Sequence, residues 1–135
     1  MVNINIKVTH EVTREMLEDI FVTALEGGSN YWCEIDLPSN AFMREHKNEA
    51  TSIIIFKAVY DHGMKIRVFD VDDDDEGKVA IGELDVTNFE KRLQKLIDDG
   101  NGHHLMAQID DAGAADAESA DVVFQYLSLG EVVYG

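Results

Sequence analysis

The sequence predicts an α+β fold, a single domain over residues 1–135, in which about three or four helices pack on an antiparallel sheet of about four or five strands. Three observations lead there. Segments with a two-residue apolar period are interspersed unevenly with segments of helical period, which disfavours a doubly wound parallel sheet. Residues 52–71 read as a hairpin. Hydrophobic residues make up 45% of the chain and its aromatics run from Phe21 to Tyr134, enough for a core despite a formal charge of −16.

Taken in order, Val2, Ile4, Ile6 and Val8 alternate with polar residues as in a half-buried strand. From about Glu11 the period changes. Val12, Met16, Ile20 and Ala24 form one row and Leu17, Phe21 and Leu25 the next, a helix stripe stopped at Gly27-Gly28, where a C-cap with positive φ is expected. Tyr31 to Leu37 reads as a short strand before the only proline, and Asn40 to Asn48 as a short helix or an ordered loop. Ser52 to Tyr60, rich in Ile, Val and aromatics, is expected to turn at Asp61-His62-Gly63 and return as Lys65 to Val71.

Beyond an acidic connection, Val79 to Val86 supplies a further strand. Thr87-Asn88-Phe89-Glu90 matches a capping box, and the helix it opens buries Phe89, Leu93, Leu96 and Ile97 before Gly100. His103 to Ile109 and Asp116 to Leu129 read as helices, the second with Val122, Val123, Tyr126 and Leu127 inward and Gly130 at its end. Val132 to Tyr134 is expected as a last strand.

Charge restricts the partners. The segment from Leu96 to Gly135 holds Asp98, Asp99, Asp110, Asp111, Asp116, Glu118, Asp121 and Glu131 without one Lys or Arg. Lys91, Arg92 and Lys95 are the only tight basic group, too small to reverse the field, so neither direct nucleic-acid binding nor attraction to an anionic membrane is expected. A lone cysteine, Cys33, excludes an internal disulfide and suits a reducing compartment. The start Met1-Val2-Asn3-Ile4-Asn5 has no leader pattern and the longest apolar run is Ile53 to Phe56, so a cytoplasmic location is expected.

Several segments are candidate sites. Asp72-Asp73-Asp74-Asp75-Glu76-Gly77 through Glu83 places Asp72, Asp74, Glu76 and Glu83 at ligand positions of a twelve-residue calcium loop. The match is partial, because Glu stands where Asp or Asn is usual and a strand pattern precedes it. The competing reading is a solvated strand-to-helix connection. Ser29, Asn30, Tyr31 and Trp32 bring hydroxyl, amide, phenol and indole together, and with Gln125 and Tyr134 they form the candidate lining of a ligand pocket. The glycines there follow a helix instead of preceding one, which excludes a phosphate loop. His10-Glu11 lacks the second histidine of a zincin helix, and no G-x-S-x-G elbow occurs. No cofactor is expected. Asp72, Asp73, Asp74, Asp75, Glu76, Asp110, Asp111, Asp116, Glu118 and Asp121 form a candidate acidic interaction surface.

Thr23 to Trp32, with its Glu26-Gly27-Gly28-Ser29-Asn30-Tyr31-Trp32 run, and the ending Ala120 to Gly135 are similar to segments of small acidic uncharacterised proteins carried by phages and other mobile elements. The resemblance implies an accessory role acting on host defence or gene expression, and carries no catalytic residue with it. Four readings follow. A non-enzymatic protein binds a basic protein surface, including by imitation of nucleic-acid phosphates. A small-ligand binder uses the pocket near Asn30, Tyr31 and Trp32. A metal-assisted hydrolase uses Asp116, Glu118, Asp121 and the histidines. An assembly protein pairs two copies through the Val132 to Tyr134 edge.

Overall fold

The computed structural model describes residues 3–4, 9–73, 76–110 and 116–135. Its first element, helix α1 (Arg14–Thr23), opens where Thr13 Oγ1 accepts the amide of Met16 at 3.2 Å, and buries Leu17, Ile20 and Phe21. It continues into a π-helical turn, Ala24–Gly28. Strand β1 (Cys33–Ile35) and a short helix α2 (Asn40–Glu45), capped by Ser39, follow.

Helix α3 (Thr51–Tyr60) stands where the first arm of the expected hairpin was placed. The reason is burial: Ser52, Ile54, Ile55, Phe56, Ala58 and Val59 are all enclosed, so α3 shows no polar stripe, and a short, uniformly apolar run has no period to separate helix from strand. Tertiary burial overrides the β preference of its isoleucines.

The hairpin lies one element later. Strand β2 (Ile66–Asp70) pairs antiparallel with β3 (Gly82–Leu84), Ile66 opposite Leu84 and Val68 opposite Gly82, while its other edge pairs with β1, Cys33 opposite Asp70. The sheet therefore runs β1-β2-β3, and the described residues hold three strands and six α-helices, of which α6 packs on β3. The fold is α+β with an antiparallel sheet, and the described residues hold fewer strands and more helices than expected.

Asp85 then caps a 3-10 turn (Val86–Asn88) that leads into helix α4 (Phe89–Asp98). Thr87 forms no capping box. Its amide and its hydroxyl both donate to Asp85 Oδ1, at 3.0 and 2.7 Å, because a carboxylate two residues upstream is the stronger acceptor. Phe89, Leu93 and Leu96 are buried as expected, whereas Ile97 is exposed. Helix α5 (Gly102–Asp110) leads to α6 (Ala117–Leu129), which Gly130 terminates at φ 82°.

Around α6 a single cluster of buried residues forms. Phe21 meets Phe124 and Phe56 edge-on, with centroids 5.5 and 5.2 Å apart. Arg92 Nη1 donates to the carbonyls of Leu127 and Glu83, at 2.6 and 3.1 Å, and so joins α4 to α6 and β3.

Gly28 and Gly82 owe their identity to the same helix. A Cβ on Gly28 would sit 2.7 Å from the Ala117 carbonyl oxygen, and one on Gly82 would sit 2.3 Å from that of Ser128. The expected positive φ at Gly27-Gly28 is absent, and Gly28 serves close approach instead.

The expected first strand, Val2 to Val8, lies largely outside the described residues. The expected last strand is absent. Val132 to Tyr134 pairs with no strand among the described residues, and the Gln125 side chain takes its backbone groups instead.

Candidate functional site

Asp121 sits in the first half of α6 and is 6% exposed, in contrast to its expected place on the acidic surface. Four donors converge on its two oxygens. Ser29 Oγ and Trp32 Nε1 donate to Oδ1 at 2.7 and 2.8 Å, and Tyr31 Oη and Gln125 Nε2 donate to Oδ2 at 2.6 and 3.1 Å. A carboxylate has acceptor sites for all four, so its burial leaves no oxygen orphaned.

The network extends through Gln125, one turn along α6. Its Oε1 accepts the amides of Val133 and Tyr134, at 2.8 and 3.0 Å, while its Nε2 donates to the Tyr134 carbonyl at 3.0 Å. One side-chain amide thus supplies the donor and acceptors that a neighbouring strand would have offered. The Tyr134 ring stacks on Trp32, with centroids 4.9 Å apart and planes 9° from parallel, and its hydroxyl donates to Asp70 Oδ2 at 2.6 Å.

These contacts perturb the titrating groups. Burial, and next the bond to Asp121, push the Tyr31 hydroxyl up to about 12, although the residue is 54% exposed as a whole. The bond to Asp70, and next burial, do the same for Tyr134, to about 12. Conversely, the Tyr134 hydroxyl and then the Asp72 amide hold Asp70 below the usual carboxylate range. Burial, then the nearby Asp121 and Glu34, push the Cys33 thiol up to about 12, so it is a poor nucleophile at neutral pH.

Of the six residues expected to line a pocket, Ser29, Tyr31, Trp32, Gln125 and Tyr134 join this network. Ser29, Trp32 and Gln125 are buried and bonded, and their polar atoms are committed internally. Asn30 alone lines a cleft, of about 380 Å³, together with Cys33, Glu26 and the start of α3. That size falls within the range of small-molecule sites.

The other acidic candidates are scattered. Asp72 and Glu76 are exposed beside the loop joining β2 to β3, which is a hairpin connection and not the expected strand-to-helix link. Asp74, Asp75 and Asp111 lie outside the described residues, and so does the side chain of Asp110. Glu83 lies within β3, opposite Arg67, so strands and not helices flank the candidate calcium loop. Asp116 Oδ1 accepts the Ser119 amide at 2.8 Å and caps α6, with Glu118 exposed in its first turn.

His104 Nδ1 is 2.9 Å from Ser119 Oγ, and burial, followed by repulsion from His103, lowers its pKa. Among the described residues no three His, Cys, Asp or Glu side chains are grouped to hold a metal ion. None of their helices is long and apolar enough to cross a membrane.

Sequence reasoning missed Asp121 as a centre. A signal existed, because Asp121, Gln125 and Ser128 share the face of Phe124, the buried face of the helix. Polar residues on a buried face must find partners. Fold and centre together define an α+β protein whose described strands form an antiparallel sheet and whose buried aspartate joins helix to turn and, through Gln125, to the tail. No protein-family model, curated protein or solved structure matches the chain.

Proposed function

We propose that the chain is a non-enzymatic interaction protein whose carboxylates engage a basic protein surface. One observation carries the reading: seven of the ten described Lys and Arg side chains are held by partners within the chain, all but Arg44, Lys47 and Lys91, while many acids are left facing water. Arg14 pairs with Glu18 and Asp61, Lys57 with Glu49, Lys65 with Asp85, Arg67 with Asp36, Lys78 with Glu34 and Lys95 with Asp99. Arg92 is held by two carbonyls.

Exposed acids stand on the helices at regular spacing, Glu15 and Asp19 one turn apart on α1, and Glu90 and Asp98 two turns apart on α4. Helix-borne carboxylates on a chain of charge −16 favour encounter with a cationic partner and repel polyanions. Imitation of a phosphate backbone, in an accessory protein of a mobile element, is the specific form proposed. The enclosed Asp121 contributes by holding the fold and takes no part in the contact.

Affinity capture from lysate with salt-step elution tests this. Basic, nucleic-acid-binding proteins should be retained, released at moderate salt and displaced by added duplex DNA. A variant carrying Glu15→Gln, Asp19→Asn, Glu90→Gln and Asp98→Asn should lose them. Retention that neither salt, DNA nor the quadruple variant affects would reject the reading.

A further inference from the structure

A groove of about 590 Å³ is lined by α1, α4 and α5 and by Thr9 to Val12, the residues that lead into α1. Its floor is apolar, with Leu17, Phe89, Leu93 and Leu105 buried beneath it. Ile97 also lines it, yet is 46% exposed. That residue stands one turn after Leu93, on the row of α4 that an amphipathic helix buries, so the apolar face of α4 continues past what the described residues cover. The polar part of the wall holds two carboxylates, Glu11 before α1 and Glu90 in the first turn of α4, beside His10 and Gln94. Among the described residues no Lys or Arg lines it.

Building on the basic partner read above, we propose that this groove receives a cationic amphipathic helix of that partner. Its apolar face rests on Leu93 and Ile97, and its Lys or Arg side chains stand beside Glu11 and Glu90. The dimensions agree: α4 lines the groove from Phe89 to Ile97, about 12 Å of helix, and apolar anchors at i, i+4 and i+7 of an incoming helix span about 10 Å. None of the lining residues belongs to a strand, so an extended peptide finds no sheet edge to pair with, whereas a helix brings its backbone hydrogen bonds with it. Charge disfavours the other occupants. A second copy would bring another −16 to the same face, and an anionic lipid or nucleic acid would meet Glu11 and Glu90. A wall with two carboxylates and no Lys or Arg, on a chain of that charge, is complementary to a cationic segment.

Isothermal titration of the full chain with a synthetic leucine and lysine peptide of about 14 residues, its leucines on one helical face, tests the groove. A second peptide of the same composition, with leucine and lysine strictly alternating, keeps the charge and takes the strand period. The facial peptide should bind saturably and shift the amide resonances of Leu93 and Ile97. Ile97→Ser should weaken it by about fivefold to tenfold, the effect of losing contact with a half-exposed isoleucine, and Gln94→Lys by a similar factor through like-charge repulsion. Both positions are exposed, so the unfolding midpoints should match that of the parent, which separates lost binding from lost folding. Binding of both peptides alike, with neither substitution felt, overturns the groove and leaves the carboxylate reading standing, whereas binding of neither at low salt overturns both. A nuclear Overhauser contact in the free protein between Ile97 and Val2, Ile6 or Val8 also overturns it, since the chain would then fill the groove itself. So does a dimer that Ile97→Ser dissolves.

Discussion

Replacing Asp121 by alanine removes the acceptor of four hydrogen bonds at once, three of them from buried residues: Ser29 and Gln125 at 0% exposure and Trp32 at 1%. The indole N–H has no alternative use and bears the full cost of burial without a partner, about 1–3 kcal/mol. Gln125 keeps its bond to the Tyr134 carbonyl and the Ser29 hydroxyl can rotate, so each falls at the low end of that range. Tyr31, more than half exposed, turns to water.

The expected loss is therefore about 3–5 kcal/mol, a large part of the roughly 5–15 kcal/mol that holds an ordinary domain folded. Asp121→Asn keeps one oxygen for Ser29 and Trp32 but turns an amide toward the Gln125 donor, so it should cost less, about 1–3 kcal/mol. Urea unfolding followed by the fluorescence of Trp32, the single tryptophan, measures both. Midpoints within about 0.5 kcal/mol of the parent for both variants would refute the idea that Asp121 organises this region.

Three further outcomes are expected. Tyr134→Ala removes the ring stacked on Trp32, so Trp32 emission should move to longer wavelength and acrylamide quenching should rise; unchanged spectra would show that the tail does not cover the indole. Tyr31 and Tyr134 hold their protons more tightly in the folded chain, at about 12, than an unfolded tyrosine does at about 10. Their stabilising contribution is complete below about pH 10 and is lost as pH rises through 12. Difference absorbance should show Tyr31 and Tyr134, joined by Tyr126 whose pKa burial also raises, ionising later in the folded protein than in urea, and ionisation of all three at the same pH in both states would contradict the network. Finally, Gly28→Ala and Gly82→Ala should each destabilise by about 1–3 kcal/mol, against the usual gain from replacing glycine, because the added Cβ meets the backbone of α6; a raised melting temperature for either would show that the helix can yield.

Legibility in the sequence followed the range of the forces involved. Helix α1 and its rows, the buried face of α4 apart from Ile97, and the end of α6 at Gly130 were readable, because periodicity and capping are set by residues within one or two turns. The acidic charge is likewise a property of composition alone.

What tertiary structure decided was every feature that depends on a neighbour distant along the chain. Ser52 to Tyr60 became helix because it is enclosed on most sides. The Val132 to Tyr134 tail found the amide of Gln125 in place of a strand. Ser29, Tyr31 and Trp32 reached a carboxylate about ninety residues away. A buried polar group is stable only where its partners converge, and convergence across such separations is settled by packing, which local pattern does not encode.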